Sequence, residues 1–383
     1  MTEPVSGSGD PSERQAERQA ERQAEHQAGD PAGDQPGHQL PALTDLAVED
    51  YVVLAELPGA RKFTPAQIRR WVLARGVADL DAMSDVSKDL RATLAEHYRV
   101  RRGTLERVHE SKDGTHGILT RLDDGKLIES VSIPDGERHT LCISSQVGCA
   151  VGCVFCASGL EGVERNLGPG EIIEQILLAR ELRPDLPLTN YVFMGSGEPT
   201  HNLKNVLAAI RIMNHPDGLG IGARRITVST VGHPDALLKL AEEPIPFHIA
   251  LSLHAPDDAA RLALMPGLGR SQLDETLEAT RVRFENTGRR LTAEVVVLGG
   301  INDRVEVAEA LADRLRGLNV VVNLIPWNPV NDIELMPPRI PAVEAMAETL
   351  RERGVSATIR RPRGQDVGVA CGQLRRHAKS GGA

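Results

Sequence analysis

Apolar and polar positions follow three different patterns along this chain. From residue 13 the unit Glu-Arg-Gln-Ala occurs three times and is followed by Glu-His-Gln-Ala, after which a Gly/Asp/Pro-rich stretch runs to about Pro41. Alanine alone interrupts the polar run, and it makes no apolar face wide enough to dock. Residues 1–41 are therefore expected to be a disordered extension without catalytic role. Between 42 and 138 short amphipathic elements appear. Thr64-Pro65-Ala66-Gln67 reads as a capping box with proline at the first helical position, flanked by a Phe63–Ile68 staple. Ile68, Trp71 and Val72 then share one helical face, and Gly76 can end the helix. Residues 117–122 and 126–133 read as two strands joined by the hairpin turn Asp123-Asp124-Gly125. This segment predicts a small α+β accessory domain.

Beyond it, β-branched runs at 140–144, 191–194, 225–229, 247–252, 292–298, 320–325 and 356–359 alternate with amphipathic helical stretches. Repeated strand–helix units mean a parallel sheet with right-handed crossovers, and six or seven of them predict an α/β barrel, full or partial. The core should span 139–376 and leave a tail at 377–383. Chemistry in such a fold gathers at the C-terminal ends of the strands. Ser144, Gly195, Ser229, His254 and Asn328 fall at or just past those predicted ends.

Composition then sets the class. The chain has 383 residues, 41% hydrophobic and 25% charged, with no apolar run near the ~18 residues of a membrane span. No basic start followed by an apolar stretch marks a secretory signal, so a cytoplasmic, reducing compartment is expected. Five cysteines there point to chemistry more than to disulfides. The net charge of -9 argues at first against a polyanionic partner. Residues 1–41, however, hold eight acidic residues against three arginines. Arg360, Arg361 and Arg363 precede Cys371, and Arg375, Arg376, His377 and Lys379 follow it, which surrounds one thiol with basic charge. From charge alone a solvated tail reads equally well.

Cys149-Ala-Val-Gly-Cys153-Val-Phe-Cys156 is a CxxxCxxC motif. Three thiolates at this spacing can wrap one compact cluster and leave its fourth iron open to a ligand. Structural zinc usually takes four ligands, so it would need His139 or a remote cysteine to complete the set. With Phe155 before the last cysteine, the motif resembles the radical S-adenosylmethionine (SAM) superfamily. Met194-Gly195-Ser196-Gly197-Glu198-Pro199 is similar to that superfamily's glycine-rich motif, which holds the SAM ammonium. The resemblance implies a 4Fe–4S cluster on Cys149, Cys153 and Cys156 that delivers one electron to SAM. It also implies a partial (βα)6-type, TIM-like barrel.

Further segments narrow the resemblance. Thr140-Leu-Cys142, Arg165-Asn-Leu167, Val228-Ser-Thr-Val-Gly232, Leu251-Ser-Leu-His-Ala-Pro256, Gly300-Ile-Asn-Asp303, Asn323-Leu-Ile-Pro-Trp-Asn-Pro329 and Val369-Ala-Cys371-Gly-Gln-Leu374 resemble the RlmN/Cfr family of RNA adenine methylases, over roughly residues 48–376. That family uses two SAM per turnover. What the likeness implies is that Cys371 carries a methyl group, that a protein–RNA adduct forms, and that Cys142 releases it by disulfide formation, with Glu129 as proton acceptor. SAM contacts carried over are Gly197, Glu198, Ser229, Ser252, Leu253, His254 and Asn328. Implied partners are 23S rRNA and tRNA, bound in part by the accessory domain, and a flavodoxin-type electron donor; a monomer and no membrane contact are expected. Carbon 2 of adenosine is the expected target on the RlmN side of the family, and carbon 8 on the Cfr side. Singly, each residue has a plainer reading: Ser229 and Ser252 as helix caps, Asn328 in a turn, His254 in the core, Glu129 on a surface, and Cys142 and Cys371 as inert thiols. The competing functions are a radical SAM enzyme acting on another substrate and, from a different class, a non-catalytic metal-stabilised RNA-binding module. Ser196 and Ser158 depart from the family's usual Met and Thr, and Gln365, Gly368 and Val369 replace an acidic stretch before Cys371.

Overall fold

The computed structural model describes residues 40–270, 272–330 and 333–360. The repeat extension, Cys371 and the basic residues from Arg361 onward lie outside the described residues. Residues 43–97 are helical, with 3-10 turns at Leu43–Asp45 and Glu49–Glu56, α1 at Thr64–Arg69 continuing as a π turn at Arg70–Ala74, and α2 at Lys88–His97. Their core is Tyr51, Leu54, Ile68, Val72, Leu73, Met83 and Leu94. The capping box is not formed. Thr64 lies inside the helix, its Oγ1 accepts from the Arg61 N–H, and the Gln67 amide donates to Asp85 O. Phe63 is exposed and staples nothing, while Gly76 ends the segment at positive φ as expected.

The strands follow: β1 Thr104–Glu110, β2 His116–Arg121, β3 Leu127–Asp135, β4 Arg138–Cys142, β5 Gln146–Gly148, β6 Val163–Asn166, β7 Asn190–Phe193, β8 Ile226–Thr230, β9 His248–Ser252, β10 Leu291–Val297, β11 Val320–Pro326 and β12 Ser356–Ile359. Between and after them run α3 Pro169–Leu182, α4 Leu203–Asn214, α5 Pro234–Glu242, α6 Asp258–Leu264, α7 Leu273–Thr287, α8 Val305–Arg314 and α9 Ile340–Glu352. One ten-stranded sheet has the order β1-β2-β3-β4-β7-β8-β9-β10-β11-β12. The pairs from β1 to β4 are antiparallel, and those from β4 to β12 are parallel. Six strand–helix crossovers thus join seven parallel strands. Among the described residues β12 has no second neighbour, so the sheet is open, as a partial barrel requires. The predicted hairpin of β2 and β3 extends this same sheet.

Alternation decides which face does what. Ile226, Val228, Ile249, Leu251, Ala293, Val295, Val322 and Leu324 are buried in the main core with the helices. The opposite face therefore carries the intervening residues, and register lines them up. Val131 pairs with Cys142, Cys142 with Val192, and Val192 with Thr227. Ser229 pairs with Ala250, Ser252 with Glu294, Glu294 with Asn323, and Asn323 with Thr358. Glu129, two residues before Val131, shares this face.

The helical segment is locked to α3 by Glu174. Its buried carboxyl accepts from the Thr44 hydroxyl at 2.5 Å and from the backbone N–H groups of Arg102 and Gly103 at 2.9 and 2.6 Å. Burial pushes this carboxyl up to about 7. The basic run Arg99–Arg102 is used internally: Arg99 and Arg102 both reach Asp123, Arg102 also pairs with Asp45, and Arg101 with Glu181.

Candidate active site

The three-cysteine loop leaves β5, whose partner β6 closes it; Cys149 N–H donates to Gly162 O. An apolar shell of Val151, Ala157, Val231, Leu264, Met265, Leu268, Leu298 and Trp327 surrounds the loop, apart from the main core. Close backbone approach fixes its path. A Cβ on Gly159 would lie 2.8 Å from Gly152 Cα, and one on Gly267 would lie 2.1 Å from Ala150 O. Trp327 Nε1 donates to Phe155 O at 2.9 Å, and the Phe155 ring meets His254 edge-on at 4.8 Å between centroids.

Cys149, Cys153 and Cys156 form no disulfide. Burial pushes Cys149 up to about 12 and raises Cys153 and Cys156; repulsion among the three sulfurs adds to the shift on Cys149 and Cys153. Backbone N–H groups of Val151 and Gly152 point at Cys149, and those of Ser158 and Gly159 at Cys156, which favours their thiolates. Such a cradle fits an iron–sulfur cluster: the donors are all soft thiols, the N–H···S contacts are in place, and an apolar shell lines the loop. His139, which could have completed a zinc set, is instead engaged by Ser132 Oγ and Leu186 O. Among the described residues no three His, Cys, Asp or Glu side chains are gathered to hold a single metal ion.

The glycine-rich loop after β7 is pressed against residues 143–146. A Cβ on Gly195 would come within 2.7 Å of Ser144 Oγ, and Gly197, at φ 106°, would bring one within 2.6 Å of the Gln146 side chain. Ser145 and Gln146 N–H donate to Ser196 O, Ser196 N–H to Ser144 Oγ, and Glu198 N–H to Gln146 Oε1. The Glu198 carboxylate is buried; its Oε1 accepts from Thr200 N–H and Oγ1, and its Oε2 from Val231 N–H at 3.0 Å. It also lies near enough to raise the Cys149 and Cys153 thiols. The motif thus ties the end of β7 to the end of β8 beside the cysteines.

Ser229 and Ser252 face each other with Oγ atoms 3.5 Å apart. Leu253 has its side chain in the main core, so only its backbone is placed to meet a ligand. His254 is the one described non-glycine residue at positive φ, 58°. Its Nδ1 accepts from Val296 N–H and its carbonyl accepts from Asn302 Nδ2. Burial, with Arg261 nearby, pushes its imidazole down to about 3, so the ring is neutral and Nε2 carries the proton. Asn328 follows β11. Glu129 is buried on β3, its carbonyl accepts from Ser144 Oγ, and its charge reaches Cys156. Cys142 is buried at the end of β4 among Leu119, Val131, Val192 and Met194. Cys371, its expected partner, lies outside the described residues.

Three positioning residues were missed from sequence. Gln146 clamps Glu198, as above. Asn302 holds His254 and, through Oδ1, Leu298 N–H. Arg261 is fully buried and donates to the carbonyls of Val231, Ser252 and Leu253, which ties the ends of β8 and β9 together. Their signal was a polar residue just past a strand end, or on the helix behind one.

The superfamily model for radical SAM proteins matches residues 143–312, and that for the ribosomal RNA large subunit methyltransferase N-terminal domain matches 42–100. A crystal structure of a radical SAM methyltransferase from Sphaerobacter thermophilus, 40% identical, aligns with a TM-score of 0.84 over 87% of this chain and 98% of that one. Fold and site together define an enzyme of the radical SAM class. A probable dual-specificity RNA methyltransferase RlmN from Rhodopirellula baltica is 47% identical over 83% of this chain and 86% of its own length. Its counterpart from Thermus thermophilus is 43% identical over 88% and 94%, and the dual-specificity RNA methyltransferase RlmN of Anaeromyxobacter sp. 44% over 87% and 90%. The chain belongs to the RlmN family.

Proposed function

We propose that this enzyme methylates carbon 2 of adenosine in 23S rRNA and of the adenosine 3′ to the anticodon in tRNA. One observation carries the reading: Glu129, Cys142, Ser229 and Ser252 share one sheet face, whose C-terminal edge bears Glu198 and the three-thiol loop. Cys149, Cys153 and Cys156 would hold the 4Fe–4S cluster. Gly197, Glu198, Ser229, Ser252, Leu253, His254 and Asn328 would hold SAM, two molecules of which serve each turnover. When bound and reduced, the cluster supplies the electron that splits SAM into methionine and a 5′-deoxyadenosyl radical. The apolar shell beside the half-buried thiols would limit the water that reaches that chemistry.

The chain's own residues do the rest. Cys371 would take a methyl group from one SAM; the 5′-deoxyadenosyl radical from the second would remove one of its hydrogens, the methylene left would bond to carbon 2, and the adduct would give back the one electron spent on splitting SAM. Glu129, buried beside Cys142's strand, takes the proton lost from the base. The Cys142 thiolate would then attack the Cys371 sulfur, forming a disulfide and breaking the sulfur–methylene bond, and the released carbon would take up a proton to become the methyl group of the adenosine. Residues 42–138 and the basic stretch around Cys371 would grip the RNA, and a flavodoxin-type protein would supply electrons to a monomeric, cytoplasmic enzyme. The similarity to RNA methyltransferases supports an RNA substrate. No helix among the described residues is long and apolar enough to cross a membrane.

Cysteine variants test the reading. Cys371→Ala is expected to abolish methylation, and Cys142→Ala to accumulate RNA crosslinked to protein, seen as a slowly migrating nuclease-sensitive band. Normal methylation by both variants would overturn the two-cysteine route.

A further inference from the structure

Ser158 has no role in the scheme above, yet its hydroxyl is placed where a polar group needs a reason. It follows Cys156 by two residues, in the 3-10 turn Ala157–Gly159, and is 6% exposed. Its Oγ is buried and closes no hydrogen bond to oxygen or nitrogen among the described residues. A buried hydroxyl is seldom left in that state. The group within its reach is the sulfur of Cys156.

The turn that carries Ser158 is held from several sides. Cys156 N–H donates to Cys153 O at 3.0 Å, and Gly159 N–H to Cys156 O at 3.2 Å. Gly159 lies so close to Gly152 that no side chain fits between them, Ala157 packs into the apolar shell, and Trp327 fixes the carbonyl of Phe155. From this turn the N–H groups of Ser158 and Gly159 and the Ser158 hydroxyl all meet the Cys156 sulfur, whereas Cys149 is met by the backbone N–H groups of Val151 and Gly152. The charge of Glu129 acts on the same Cys156 sulfur with the opposite sign. Cys156 is thus the ligand at which a side-chain donor answers a nearby carboxylate.

We infer that the Ser158 hydroxyl donates to the Cys156 sulfur when the cluster is bound and raises the cluster's reduction potential. An added electron increases the negative charge on the sulfurs, so a donor at one of them favours the reduced form. An apolar surround strengthens that preference. Serine keeps the hydroxyl of the threonine usual at this position. The inference rests on the proposed cluster, and it makes Ser158 a positioning residue that acts through Cys156 on how readily an external donor reduces that cluster.

The test is an anaerobic redox titration of the full chain with its cluster reconstituted, followed by electron paramagnetic resonance of the reduced cluster, with neither SAM nor RNA present. Wild type is compared with Ser158→Ala, Ser158→Thr and Ser158→Val, and iron and sulfide are counted in each. At a fixed potential Ser158→Ala is expected to hold about tenfold less reduced cluster, a midpoint about 59 mV lower for one electron. Ser158→Thr should titrate as wild type does. Ser158→Val, which has the shape of threonine without its hydroxyl, should fall with Ser158→Ala, and it serves if the alanine variant does not hold its cluster. Midpoints unchanged in the alanine and valine variants, or a threonine variant that falls with them, would overturn the inference. Loss of the cluster from both variants would overturn it too, since the hydroxyl would then be needed to build the site and not to tune it. Failure of the wild-type chain to take up a cluster would reject the proposed function and this inference with it, whereas the expected midpoints in a chain that methylates no RNA would reject the substrate alone.

Discussion

At the scale of single residues, His254 shows what burial does to a polar side chain at this site. Its imidazole is held near 3 against 6.5 for an exposed histidine, and its backbone stays at positive φ because Asn302 and Glu294 bind both sides of the peptide. Because the folded state resists protonation, the contribution of His254 to stability is present above pH 6.5 and falls as pH drops below it. Between pH 6.5 and 5.5 that loss is about 1 kcal/mol. In urea unfolding at those two pH values, His254→Asn should lose less stability than wild type by about this amount; identical losses would show that His254 is not held neutral. The cysteine pattern was legible in sequence because ligand spacing is local. Gln146 and Arg261 were not, because the ties that matter, Gln146 to Glu198 and Arg261 to Val231, span 52 and 30 residues.

At the scale of elements, the strands were visible as β-branched runs and their order as strand–helix alternation, since both rest on short-range periodicity. The shared face was written in the parity of residues such as Ser229, Ser252, Glu294 and Asn323, but parity becomes a site only once register is known. Thr64 misled because the capping signature does not say whether the threonine is the cap or the first helical residue; its hydroxyl is used by Arg61 instead. The three-thiol loop is an element held from outside by Gly267 and Trp327. Gly267→Ala drives a methyl group into Ala150 O and should move the loop, leaving less iron bound after anaerobic reconstitution than in wild type. Trp327→Phe removes the bond to Phe155 O and part of a buried ring, and should cost about 2 kcal/mol in unfolding while retaining iron. Full iron in Gly267→Ala would mean that the loop does not need this close approach.

At the scale of the whole molecule, the helical segment, the antiparallel strands and the parallel strands are joined through one sheet and through the buried Glu174 latch. Glu174→Ala strands two backbone N–H groups and should destabilise the chain by about 2–3 kcal/mol in urea unfolding. A change below 0.5 kcal/mol would show that water replaces the carboxyl without loss. The net charge of -9 describes RNA binding poorly at this scale, because the acidic repeat and the internal pairing of Arg99 and Arg102 separate total charge from available charge. The central claim is that this sheet face methylates an RNA adenosine at carbon 2. Its most direct measurement is mass-spectrometric mapping of methyladenosine isomers in rRNA and tRNA from cells carrying the wild-type gene, the Cys371→Ala gene or none. The account predicts 2-methyladenosine with the wild-type gene alone; 8-methyladenosine in its place, or 2-methyladenosine that persists without the gene, would contradict it.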